Sequence, residues 1–264
     1  MINVLVRDSL LRALGAAKLH CVRRIERDRL AALIRSLRPV RGDAPLIRIG
    51  PAGAGGYLVP DDLEGIEFAC LAGVSTDSGF AADLASRGIG VFFSESVGSP
   101  AQSGDQIESH TQRLSGFSDA AQMTLDHWKQ DTIGDTSGDL LLQMDIEGGE
   151  FETLLCVSDS LLRQFRILVI DFHHLHQLWN KPWFLLVEHM FQKLLRTHSV
   201  VHIHPNNCCR SFSSADLEIP RIAEFTFYRN DRIGHRAFCG TFPHPLDADN
   251  TRRRTLALPG CWYR

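Results

Sequence analysis

Three carboxylates close an otherwise apolar segment in "LLLQMDIEGGEFETLL", residues 140–155. Leu140, Leu141, Leu142, Met144 and Ile146 read as a buried strand, with Asp145, Glu147 and Glu150 at its end around Gly148-Gly149. Carboxylates this close repel one another and cost free energy to desolvate, so the cluster implies either a site or a helix cap. Capping accounts for one acid, or two. The remainder points to chemistry. Asp145 and Glu147 point to one side for as long as the chain stays extended. The two glycines then permit a sharp turn and a close backbone approach. Glu150 falls in the first turn of the helix expected next, where the dipole favours an anion.

Histidines gather in two further stretches, "DFHHLH" (residues 171–176) and "VHIHPNNCC" (residues 201–209). Both lie at the ends of expected strands, so His173, His174, His176, His202 and His204 are placed toward the edge that carries Asp145. A histidine there suits a general base for a hydroxyl, because its pKa lies near working pH. His173 is the first choice and His204 the second, with Asp145 and Glu147 completing the catalytic group. The same residue types also suit a metal ion. No Cys-x-x-Cys or His-Glu-x-x-His spacing occurs, so no resident metal is assigned, and a metal-dependent hydrolase is carried as an alternative. Any single histidine is more commonly an ordinary hydrogen-bonding group.

These residues are carried by an alternation of strands and helices. Strands are expected at 68–74, 89–95, 139–146, 165–172, 200–205 and 221–229, and helices at 78–88, from near Glu150, and at 183–198. Residues 120–130 mix a short strand with a helix. Apolar strands alternating with helices predict a mostly parallel sheet covered on both faces. The last two strands are joined without an obvious helix, which predicts an antiparallel last strand. Residues 10–37 carry helical spacing and end before Pro39, so residues 1–45 form a helical extension and 46–264 the main domain. "GPAGAGGY" (residues 50–57) lacks the strand-before, helix-after context of a dinucleotide fingerprint. It reads as a loop over the ligand edge or as a plain turn, with Tyr57 at its end. The tail beyond Arg232 reads as surface loop.

The chain has 264 residues, 44% of them hydrophobic, and a formal net charge of −3. Residues 1–48 balance at +7 and the remainder at −10. The basic front either packs on the domain as a solvated helix or touches an anionic membrane or a protein partner. An acidic body without basic-aromatic interleaving argues against nucleic acid. No apolar run is long enough for a membrane-spanning helix. Seven cysteines, with Cys208 and Cys209 adjacent, do not form a full disulfide framework and suggest a reducing, cytoplasmic setting.

"QMDIEGGEFETLL" resembles the signature of the FkbM-like methyltransferases, an Asp-x-Glu-Gly-x-Glu segment that runs into apolar residues. "MTLDHW" (residues 123–128) and "IDFHHL" (residues 170–175) resemble two further elements of that family. The resemblance spans roughly residues 46–230. It implies a class I methyltransferase (Rossmann-like) α/β fold, with S-adenosylmethionine (SAM) as cofactor and transfer to a hydroxyl, commonly of a saccharide or glycoconjugate. It also implies that Glu95, closing the second strand, binds the ribose hydroxyls, as a carboxylate can by accepting two hydrogen bonds. The loop after the first strand then holds the methionine end, through Gly73, Ser75 and Asp77. This loop departs from the usual acidic-x-Gly-x-Gly pattern, with Cys70 and Leu71 where an acid is expected. Tyr57 and Glu150 complete the cofactor candidates. A non-catalytic nucleotide-binding module, partnered through the basic helices, is the second alternative.

Overall fold

The computed structural model describes residues 12, 21–74, 78–94, 107–110, 113–119 and 121–264, with 107–110 described by backbone alone. In chain order the main elements are α1 (Arg27–Ser36), β1 (Leu46–Ile49), β2 (Tyr57–Pro60), β3 (Ile66–Ala72), α2 (Gly79–Ser86), β4 (Gly90–Ser94) and β5 (Ile107–His110). They continue with α3 (Leu125–Thr132), β6 (Asp139–Met144), α4 (Glu150–Cys156), α5 (Asp159–Gln164), β7 (Phe165–Phe172), α6 (Lys181–Leu195), β8 (His198–Pro205) and β9 (Ala223–Arg229).

Among the described residues, seven strands form one sheet in the order β8-β9-β7-β6-β3-β4-β5. The contacts from β7 through β5 are parallel. β9 enters antiparallel between β7 and β8, as the helix-free connection predicts. Every residue of β7 and of β8 is buried, polar ones included, because the sheet is covered on both faces. On one face Leu140, Leu142, Leu168 and Ile170 share a core with Leu30 and Ile34 of α1, Phe151 of α4 and Phe191 of α6. On the other, Leu141, Ile167 and Val169 meet Val59 of β2 and Phe80 and Leu84 of α2. The strand order reverses between β3 and β6, so the ends of these two strands form the crevice where open α/β sheets place ligands.

Three expectations change. Of the helix expected over residues 10–37, Arg12 and α1 are helical, residues 21–26 are not, and the rest before residue 21 lies outside the described residues. Residues 23–25 are extended instead, because Ile25 N–H donates to Trp179 O (3.0 Å) and Lys181 N–H to Arg23 O (2.9 Å), while the Arg24 guanidinium stacks over Trp179. The helix expected to reach His198 ends at Leu195, and His198 opens β8 instead. The tail is not merely surface: Leu258, Trp262 and Tyr263 join the core, and Trp262 Nε1 donates to Glu218 O at 3.0 Å. "GPAGAGGY" forms the turn of the antiparallel β1–β2 hairpin, pinned to α2 by Gly50 N–H donating to Asp83 Oδ2 at 2.7 Å.

Candidate active site

At the crevice the end of β3 touches the end of β6. Asp145 N–H donates to Ala72 O (2.9 Å) and Gly73 N–H to Ser94 O (3.1 Å). Gly73 has φ +76°, and a Cβ built there would lie 1.7 Å from Asp145 O. Glycine is therefore required twice over, by conformation and by space.

The three acids that follow β6 take three different positions. The strand ends at Met144, and Glu147 adopts a left-handed φ of 52° with its side chain exposed. The extended geometry that would have set Glu147 beside Asp145 is not formed, because the turn begins before the glycines. Glu150 turns back into its own loop and is fully buried. Its Oε1 accepts Ile146 N–H (3.1 Å), Gly148 N–H (3.1 Å) and His173 Nδ1–H (3.0 Å). Asp145 stays half-exposed at the crevice, its Oδ1 3.7 Å from His173 Nε2.

His173 thus bridges two carboxylates. Both atoms near Nδ1, Glu150 Oε1 and Asp171 O (3.1 Å), are acceptors, so Nδ1 carries hydrogen and Nε2 is the nitrogen presented to Asp145. Burial pulls the His173 pKa down, but the Glu150 and Asp145 carboxylates overcome it and hold it above the usual histidine value. Burial, with Glu150 and Glu147 adding repulsion, pushes Asp145 up to about 6 despite the opposing pull of His173. Two neighbouring groups that exchange protons near neutrality suit acid–base work on a hydroxyl.

Beneath this pair lies a buried polar layer. Tyr57 is 5% exposed, packs edge-on to Phe80, and donates from its hydroxyl to Asp171 Oδ2 at 3.0 Å. Gln143 Nε2 donates to the same hydroxyl at 3.3 Å. Burial, then the Glu224 and Asp145 charges, hold Asp171 well above the ordinary carboxylate range. Asp171, Gln143 and Glu224 were not singled out from sequence; the available signal was a polar side chain inside a wholly apolar strand, as in "ILVIDF" and "IAEFTF". His204 belongs to a separate cluster with His202 and Asp247. It lies on β8, with β9 between it and β7. Ser75, Asp77 and Glu95 lie outside the described residues.

Ligand-type atoms of Asp145, Glu150 and His173 lie within 4.8 Å of one another, the proximity that a hydrolytic metal centre needs. Of the two Glu150 oxygens, Oε1 already accepts three donors, and Oε2 is buried with no hydrogen-bond partner among the described residues. Among the described residues no helix is long and apolar enough to cross a membrane.

A search of curated proteins finds no significant match. The family described as the methyltransferase FkbM domain matches residues 68–204, slightly more than half of the chain, from β3 to the end of β8. With Gly73, the acidic turn and His173 all inside that segment, the chain belongs to the FkbM methyltransferase family.

Proposed function

We propose that the chain is a SAM-dependent O-methyltransferase acting on a hydroxyl of a saccharide or glycoconjugate. The observation that carries this reading is the meeting of Gly73 with Asp145, beside His173, where the strand order reverses. Strand order supports a class I methyltransferase sheet, since an antiparallel strand is inserted next to the last parallel one. The saccharide class rests on the family resemblance.

The donor set suits a cationic cofactor. Asp145 offers a half-exposed carboxylate at the crevice, where Gly73 lets the ends of β3 and β6 meet. Ser75 and Asp77 follow β3 in the chain and Glu95 follows β4, positions from which they would hold the methionine end and the ribose. Bound SAM supplies an electrophilic methyl group on a sulfonium. His173 Nε2, its tautomer fixed by Glu150, takes the proton of the acceptor hydroxyl. Asp145 orients that hydroxyl and stabilises the imidazolium formed. The proton then leaves to solvent through the half-exposed edge. Positioning of the two reactants contributes much of the remaining rate.

The test is calorimetry with S-adenosylhomocysteine together with transfer of labelled methyl from SAM to a saccharide panel. Glu95→Ala should weaken cofactor binding about 100-fold, through loss of two charge-assisted hydrogen bonds of about 1.5 kcal/mol each. His173→Gln should leave that affinity intact and slow transfer about 100-fold or more, the usual share of a general base. Failure of the wild-type protein to bind either nucleoside would end the proposal.

A further inference from the structure

His202 and His204 are two residues apart on β8 and present their rings to the same side of the sheet. Asp247, 45 residues beyond His202, is brought against them by the C-terminal segment. All three side chains are at least nine-tenths buried. His202 Nε2 lies 2.8 Å from Asp247 Oδ1, and His204 Nδ1 lies 3.6 Å from the same oxygen. The second distance is too long for a hydrogen bond. It is close to the edge of about 3.4 Å that separates ligand atoms in a tetrahedral site with bonds of about 2.1 Å, whereas the first is a hydrogen-bond distance that a bound ion would have to open by about 0.6 Å.

The surroundings match a metal centre better than an ion pair. Asp247 Oδ2 is fixed by His244 N–H at 2.7 Å, which aims Oδ1 at the two imidazoles. His204 Nε2 is buried with no hydrogen-bond partner among the described residues. The cross-strand neighbour of His204 is the buried Glu224, which accepts a hydrogen bond from Asn250 and adds negative charge beside the cluster. A cavity of about 320 Å³, lined in part by His204, Asp247, Phe242 and Leu258, adjoins the cluster and leaves space for a further coordination position.

We infer that His202, His204 and Asp247 bind one divalent transition-metal ion of the zinc class, with an open position facing this cavity. Two neutral imidazoles and one carboxylate form a donor set suited to such an ion. The ion fastens the C-terminal segment to the edge of the sheet. This site is separate from the Asp145–His173 pair, and its existence does not depend on the methyl-transfer reading.

The test takes the full chain, strips it with a chelator and titrates it with Zn²⁺ by calorimetry, then with Co²⁺ by visible absorption. One Zn²⁺ per chain, a higher Tm on loading, and Co²⁺ d–d bands without a thiolate charge-transfer band are expected. The missing charge-transfer band would exclude Cys208 and Cys209 as ligands. Asp247→Asn and His202→Gln should each weaken Zn²⁺ binding by roughly 100-fold or more, since outer-shell changes alone cost 10–100-fold. Asp145→Asn should leave it unchanged. Circular dichroism of each stripped variant separates lost ligation from lost folding, and the wild-type Co²⁺ spectrum needs no variant. Absence of stoichiometric binding, thiolate bands, or binding that disappears with Asp145→Asn would overturn the inference.

Discussion

Replacing Gly73 with alanine tests whether the crevice is built on contact between the ends of β3 and β6. Gly88, which follows α2, provides a matched control. Their φ values are +76° and +81°, so an added Cβ carries the same left-handed penalty at both, about 1–2 kcal/mol. Their surroundings differ: nothing lies within 4 Å of a Cβ at Gly88, whereas one at Gly73 would sit 1.7 Å from Asp145 O. Relieving that overlap requires a shift of about 1.5 Å, given ordinary carbon–oxygen contacts near the lower end of about 3.3–3.6 Å. Such a shift disrupts the Asp145-to-Ala72 and Gly73-to-Ser94 hydrogen bonds, each worth about 0.5–1.5 kcal/mol. Gly73→Ala should therefore destabilise the chain by about 2–5 kcal/mol and Gly88→Ala by about 1–2 kcal/mol. Urea unfolding measures both, and calorimetry with S-adenosylhomocysteine reports on the crevice. Displacement by about 1 Å should cost the Gly73 variant up to about 100-fold in turnover, with Gly88→Ala unaffected. Equal stabilities and equal nucleoside affinities in the two variants would refute the close-contact argument.

Asp145→Asn removes one of the charges that raise the His173 pKa. The rise in methyl-transfer rate with pH, which follows deprotonation of His173, should move to lower pH in that variant; an unmoved profile would dissociate the pair. Asp145 and His173 both have raised pKa values in the folded chain. The stability linked to Asp145 is present below pH 3.8 and lost as pH rises through about 6; that linked to His173 is present below 6.5 and lost above it. Unfolding across pH 4–8 should show less decline between 4 and 6 for Asp145→Asn than for wild type. Glu150→Ala leaves two backbone N–H groups without their acceptor and should cost about 2–4 kcal/mol by denaturant unfolding, whereas Glu150→Gln keeps an oxygen there, loses less, and lowers the His173 pKa read by proton NMR. Arg166, at the opposite edge, is bound to Asp139 Oδ2 (2.7 Å), Asp62 Oδ1 (3.2 Å) and Glu64 O (2.6 Å). Arg166→Met should cost about 3 kcal/mol without altering nucleoside affinity, the lower end of the usual range because Arg229 and Arg232 still face the two aspartates.

β7 was legible to its exact ends because "FRILVIDF" is apolar at six of its eight positions, lies between polar flanks and is buried along its whole length. The antiparallel entry of β9 followed from a connection with no helical pattern. α2 was legible from its glycine: Gly88 N–H donates to Ala85 O and Ile89 N–H to Leu84 O, a left-handed cap that fixes the helix end. Residues 21–26 were misread because helical spacing in the sequence carries no information on Trp179 and Lys181, whose backbone holds residues 23–25 extended. Asp247 was hidden for a similar reason, since nothing local relates it to a strand that ends 42 residues earlier. The type of residue at the acidic turn was readable, but its geometry was not. Whether Glu150 faces outward or folds under the loop depends on two backbone N–H groups that become available only once the turn has formed.

That geometry accounts for the three carboxylates at the end of a core strand. Repulsion among them would be costly if all three were buried and ionised side by side. Glu147 avoids the cost by leaving for solvent. Glu150 offsets its own burial with two backbone donors and an imidazole. Asp145 is left at the crevice, where burial first and the residual repulsion second raise its proton affinity, and the neighbouring imidazole restrains the rise. Partial burial, with the unfavourable field added to it, is thus the means by which this carboxylate is pushed up to about 6. A substitution that relieves the repulsion, such as Glu150→Gln, should therefore make the site less able to manage a proton even where it leaves the fold intact.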